Sequence, residues 1–180
     1  MPTVDAPETF RQQLLSAIPR LRRYARSLVF DSATADDLVQ TALERALTHW
    51  HQFDQRRDML LWLLSIAHNA FHDLWRRDAR LTIVDPAQAT AAQDAFAADP
   101  GVDVGLRMDL VAALAQVSAE QREPLLLVSV EQLTYAECAE ALGIPIGTVM
   151  SRVSRARAAL REVLESGGRA GNVRTLRRVV

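Results

Sequence analysis

Between Ile146 and Arg161 the chain carries Arg152, Arg155, Arg157 and Arg161 and not one acidic residue. A guanidinium holds its N–H donors in a fixed fork that matches a phosphate or the acceptor edge of guanine. The chemistry on offer is therefore recognition of phosphate and base edges, with no bond broken. Apolar Val149, Val153, Ala156, Leu160, Val163 and Leu164 recur close to a period of 3.6 along the same segment, which predicts a helix with one buried and one cationic face. Upstream, Thr134 and Glu137 stand at capping-box spacing, and Ala136, Ala139 and Leu142 form a small apolar face that lets another helix approach closely. Gly143 supplies a left-handed turn, and Pro145 with Thr148 suits the start of the next helix. Two short helices, a glycine turn and a basic second helix predict a helix-turn-helix that reads DNA.

No other group of residues suggests a reaction. There is no glycine-rich phosphate loop, no histidine beside a nucleophile and no carboxylate pair in ligand spacing, so no enzyme, catalytic residue or cofactor is expected. His49, His51, His68 and His72 have no metal-ligand company along the chain and read as structural or solvated, so no metal is expected. The single cysteine, Cys138, excludes an internal disulfide and reads as a small buried hydrophobe. No apolar stretch reaches spanning length and the N-terminus has no basic segment followed by an apolar one, which predicts a cytoplasmic protein with no membrane insertion of its own.

The elements that position these residues are helical. With 180 residues, 49% hydrophobic, the chain can bury one core or two small ones, and strand signals are scarce, so the fold expected is all-α. Phe10, Leu14, Ile18, Leu21, Ala25 and Leu28 mark a first helix with a kink at Pro19. Residues 31–34 read as a polar break, and Ala35, Leu38, Val39, Ala42, Ala46, Leu47 and Trp50 mark a second helix that exposes Asp37, Gln40 and Glu44. A polar loop over 51–58 leads to a third helix over about 59–77, whose apolar run MLLWLL predicts a surface for a partner. The net charge of −1 hides local imbalance: residues 81–105 hold Asp85, Asp94, Asp99 and Asp103 with no basic residue, and the tail holds Arg169, Arg174, Arg177 and Arg178. The first of these segments reads as a flexible linker between domains at 8–80 and 106–165, and 166–180 as a basic, disordered tail. In the second domain Ser118 and Gln121 repeat the capping-box spacing, and Pro124 predicts a bend.

Three segments in order carry a family resemblance: DDLVQTALERAL (36–47), LLWLLSIAHNAFHDLWRR (60–77) and SAEQREPLLLVSVEQLTYAECAEALGIPIGTVMSRVSRARAAL (118–160). Together they resemble bacterial RNA polymerase sigma factors of the extracytoplasmic-function group, over roughly residues 8–165. The resemblance implies a promoter-specificity subunit that binds core RNA polymerase through the β′ clamp helices and the β flap, together with promoter DNA and an anti-sigma factor. It assigns core polymerase binding to Asp36, Asp37, Leu38, Val39, Gln40 and Glu44, with Thr41 in place of a usual glutamate. It assigns the −10 element to Phe53, Arg56, Arg57, Trp62, Asn69, Arg76 and Arg77, with His68 where an arginine is common. It assigns the −35 element to Thr134, Thr148, Met150, Ser151, Arg152, Arg155 and Arg157, with Met150 in place of a basic residue. It further implies that a small, membrane-linked anti-sigma protein masks the polymerase-binding surfaces and that the acidic linker enters a positively charged channel of the polymerase. The alternative is a helix-turn-helix regulator that is not a polymerase subunit, which would need neither of the first two segments.

Overall fold

Helix α1 spans Glu8–Val29 and buries Phe10, Leu14, Leu21, Tyr24 and Leu28 along one face. A computed structural model describes residues 6–77 and 104–167. The helix continues through Pro19, which sits on the exposed side, where the carbonyl four residues earlier can turn to water. It ends at Phe30, whose φ of 61° closes the last turn with an N–H bond to the Arg26 carbonyl at 3.2 Å. A left-handed non-glycine residue costs roughly 1–2 kcal/mol. Burial of the Phe30 ring, and the Arg122 guanidinium 4.5 Å from its centroid, offset that cost.

Helix α2 spans Ser32–Thr48. It begins earlier than the apolar period predicts, because the Asp31 carboxylate accepts from the Thr34 amide at 2.7 Å and the Thr34 hydroxyl at 2.6 Å. The expected break at 31–34 is thus an N-cap and a first turn. Trp50, placed by its period in this helix, falls instead in a short 3-10 turn, Trp50–Gln52. Helix α3 spans Met59–Arg77, as the sequence predicts. Its MLLWLL run is not left for a partner: Met59, Leu60, Leu63 and Leu64 are buried, covered by other helices of the same chain.

The second half contains α4 (Val104–Gln116), α5 (Ala119–Ser129), α6 (Tyr135–Leu142) and α7 (Ile146–Gly167). Helix α5 runs unbroken through the buried Pro124. Ser118 is its N-cap residue, but no side-chain cap forms; the Gln121 amide bonds the Ser118 carbonyl at 3.0 Å, so the expected second capping box is absent. Every element among the described residues is helical. The two halves pack together through α1 on α5 and α3 on α6, and their buried residues merge into one apolar cluster. No helix among the described residues is long and apolar enough to cross a membrane. The acidic segment that holds Asp85, Asp94 and Asp99, together with Asp103 and the arginine tail after Gly167, lies outside the described residues.

Candidate nucleic-acid and polymerase interfaces

The turn motif forms as its residues dictate. The Thr134 hydroxyl accepts from the Glu137 amide at 3.2 Å while the Glu137 carboxylate accepts from the Thr134 amide at 2.8 Å, completing the capping box. Those bonds from Thr134 hold the Glu137 carboxyl below its ordinary range. Gly143 closes α6 at φ 62°, and a Cβ there would meet nothing within 4 Å, so the backbone angle alone asks for glycine. Helix α7 then starts from the Pro145 carbonyl, which accepts from Thr148 and Val149 at 2.9 and 3.2 Å. The buried side of α6 is Cys138, Ala141 and Leu142; Ala136, predicted on that face, is exposed. Burial drives the Cys138 thiol up to about 12, which leaves it an unreactive hydrophobe.

Val149, Val153 and Ala156 anchor α7 in the core, so the opposite side faces outward. Met150 is 53% exposed, and Arg155 and Arg157 are exposed; Thr148 and Ser151 are half-buried, with the Ser151 hydroxyl donating to the Thr148 carbonyl at 3.0 Å. Arg152 is tied within its own half, donating to Glu120 at 3.2 Å. Thr134 is exposed, but its hydroxyl also donates to Glu137, at 2.8 Å.

On α2 the DLVQ segment splits in two. Asp36, Asp37, Gln40 and Glu44 are exposed on one face, with Gln40 donating to Glu44 at 2.9 Å. Leu38 and Val39 are 0% and 4% exposed. Both were expected at the polymerase surface, but their side chains point inward and support that face from beneath.

The residues expected to handle the −10 element also divide. Phe53 is buried; with Phe10 and Trp62 it forms an aromatic cluster, its centroid 5.8 and 5.1 Å from theirs. Neither Phe53 nor the packed face of Trp62 is available for stacking on a base. Arg56 and Asn69 are exposed, and Arg76 donates to Asp73 at 3.3 Å. Arg77 ends α3. Arg57 forms an ion pair with Glu140 of α6, and both line a cavity of about 340 Å³ together with Leu61, Trp62 and Ala141.

Two buried carboxylates that sequence reasoning missed hold the halves together. Glu131, 1% exposed, is gripped by Arg20 and Arg23 of α1. The bond to Glu131 raises the Arg23 guanidinium above its ordinary value. Glu123, 2% exposed, receives the Tyr24 hydroxyl at 2.5 Å and lies 2.8 Å from His68 Nδ1 and 3.6 Å from His72 Nε2. Burial pushes the Glu123 carboxyl up, but His68, His72 and Tyr24 outweigh it and bring it down to about 2. The bond to Glu123 raises His72, and burial lifts the Tyr24 phenol well above its usual value. His68 and His72, which have no such company along the chain, meet a carboxylate that comes from its other half. Beside them, burial lowers Arg122 to about 10.

Known proteins agree with this architecture. The model for sigma-70 region 4 matches residues 107–160, and that for the sigma2 domain of PhyR matches residues 14–68. The chain is 35% identical to the ECF RNA polymerase sigma factor EcfG of Rhodopseudomonas palustris, over 93% of this chain and 90% of the relative. It is similar in structure to the sigma factor RpoE solved in complex with the anti-sigma factor NepR from Bartonella quintana, with a TM-score of 0.72, 32% identity and coverage of 88% of this chain and 98% of that one. It is also similar to CnrH solved in complex with the cytosolic domain of CnrY, with a TM-score of 0.63, 27% identity and coverage of 87% and 88%. With two matching domain models in sigma-factor order and a 35% identical relative spanning nearly its full length, the chain belongs to the extracytoplasmic-function RNA polymerase sigma factors.

Proposed function

We propose that the exposed α2 face of Asp36, Asp37, Gln40 and Glu44 docks on core RNA polymerase while the exposed side of α7, with Arg155 and Arg157 on its two flanks, reads the −35 element. The observation that carries this reading is the presence of both exposed faces, one acidic and amide-bearing and one cationic, on opposite halves of a single helical chain. Arg56, Arg57, Asn69 and Arg76 supply the cationic and polar track for the −10 strand. Leu38, Val39 and Phe53 keep those surfaces in shape from within. Arg57 is held by Glu140 in this structure, so engagement of the −10 strand by Arg57 requires that exposed ion pair to open. The protein acts by binding alone, catalyses no reaction and works in the cytoplasm, where core polymerase and DNA meet. An anti-sigma protein masks these surfaces, by analogy with the partners solved on the Bartonella and CnrH relatives.

In vitro transcription tests the reading. Sigma-free bacterial core polymerase on genomic fragments is expected to start at defined sites only when this chain is added. Failure to bind core polymerase or to start at any defined site would overturn it. Co-purification from the native host is expected to yield a small stoichiometric partner whose addition suppresses those starts.

A further inference from the structure

We propose that His68, His72 and Glu123 form a transition-metal site of the zinc class that bridges the two halves of the chain. Each residue offers one ligand atom, and the three atoms lie within 4.8 Å of one another. His68 and His72 are one turn apart on α3, so their rings share a face, with centroids 4.4 Å apart. Zinc binds imidazole nitrogen at about 2.0–2.1 Å and carboxylate oxygen at about 2.0–2.2 Å, which sets neighbouring donors of a tetrahedral centre roughly 3.4 Å apart. The separations from Glu123, 2.8 Å from Oε1 to His68 Nδ1 and 3.6 Å from Oε2 to His72 Nε2, straddle that value, and with all three ligand atoms within 4.8 Å of one another, rotation of the side chains would bring them around an ion.

The donor chemistry selects the ion. Two imidazoles and one carboxylate suit zinc and its first-row neighbours, whereas magnesium and calcium prefer oxygen donors throughout. A fourth position is left for water, as in three-ligand zinc centres. The surroundings have the features of a built site. The Tyr24 hydroxyl donates to Glu123 Oε1 at 2.5 Å and holds the carboxylate in place, an outer hydrogen bond of the kind that orients a ligating group. The Glu123 side chain is 3% exposed and that of His68 17%, but that of His72 is 39% exposed and gives an ion a way in.

The carboxylate comes from α5 and the imidazoles from α3, so all three donors meet only while the halves are packed together. An ion that binds only this arrangement stabilises it by linkage: at a hundred times its Kd it favours the closed form about a hundredfold. The metal is thus a clamp on the packing of the two halves, at a different place from the ion pair of Arg57 with Glu140.

The experiment uses the full chain stripped with a chelator and titrated with Zn²⁺ alone, then with Co²⁺ as an optical probe. One equivalent of each is expected to bind, Co²⁺ with the strong visible bands of a tetrahedral or five-coordinate centre, and Zn²⁺ is expected to raise the melting temperature and shrink the hydrodynamic radius. His72→Ala, at a part-exposed position, and His68→Gln are each expected to weaken binding at least about tenfold and to abolish the Zn²⁺-dependent compaction, with an unchanged helical circular dichroism spectrum. A double substitution of the exposed pair, His49→Ala with His51→Ala, is expected to leave binding as it was. The absence of a one-equivalent site, or a site indifferent to His68 and His72, overturns the proposal. Transcription with core polymerase at ambient metal is a separate measurement, so either result leaves the sigma-factor reading to its own test.

Discussion

Arg23 grips Glu131 with two parallel hydrogen bonds, Nε to Oε1 and Nη2 to Oε2, both 2.9 Å long and spanning 108 positions of sequence. Arg20 adds a bond from Nε to Oε2 at 2.9 Å and another from Nη2 to the Glu131 carbonyl at 2.6 Å. The backbone therefore locks together with the carboxylate. Replacing Arg20 and Arg23 with alanine leaves a carboxylate that is 1% exposed with neither cation. Breaking a buried pair from one side costs about 3–5 kcal/mol, and water around the part-exposed arginines moves the expected loss to the low end. The protein can limit even that by letting its halves separate and wetting Glu131. The double variant is therefore expected to melt earlier and to show a larger radius by small-angle scattering. Unchanged scattering and an unchanged melting point would mean that the grip contributes nothing to closure.

Most helices were legible because each buries one face at a period of 3.6, as α1 does with Phe10, Leu14, Leu21 and Leu28. The capping box of Thr134 and Glu137 and the turn at Gly143 were equally legible, because their chemistry is local. What the sequence hid was non-local. Nothing near Glu123 in the chain announces that Tyr24, His68 and His72 will surround it, and the acidic cap of Asp31 outweighed the apolar period that placed the start of α2 later. The MLLWLL run looked like a partner surface because its cover is non-local, from α1 and α2 upstream and α6 more than sixty residues downstream. Likewise Leu38 and Val39 sit inside a motif that recognises polymerase, yet motif matching does not separate residues that touch from residues that support.

That separation is measurable on α2. Asp37→Arg reverses a charge on an exposed position and is expected to weaken core polymerase binding at least about tenfold, or 1.4 kcal/mol, with no change in melting temperature. Leu38→Ala removes a side chain that is 0% exposed and is expected to cost about 2–5 kcal/mol of stability. Pull-down titrations beside thermal melts distinguish the two. Loss of affinity without loss of stability in Leu38→Ala would put that side chain at the interface after all.

The Asp31 cap gives stability a defined dependence on pH. The Thr34 hydroxyl, then the Thr34 amide, hold this carboxyl below its ordinary value of 3.8. A lowered carboxyl contributes above its unfolded value and loses the contribution as pH falls through the folded one. Asp31→Ala is thus expected to cost about 1 kcal/mol near neutrality, with the gap from the parent protein narrowing below pH 3.8. Chemical denaturation of both proteins across that range checks it. A gap that stays constant would show that the backbone, rather than the charge, starts α2.

On α7 the division of labour follows from what each side chain is already doing. Arg152 is occupied by Glu120, Met150 is 53% exposed with no charge to offer, and Arg155 is exposed one turn beyond. Arg155→Ala is therefore expected to weaken holoenzyme binding at the −35 element. If the guanidinium reads guanine with both donors, the loss is about 1–3 kcal/mol and confined to one base position. If it holds a phosphate, the loss is spread over all sequences and the salt slope falls by about 0.9. Met150→Arg adds a cation to the other flank of the outward side of α7 and is expected to tighten binding with a steeper salt dependence. Competition binding at two salt concentrations, on the native element and on single-base variants of it, separates these outcomes. Indifference of binding to both substitutions would move the recognition face off this side of α7.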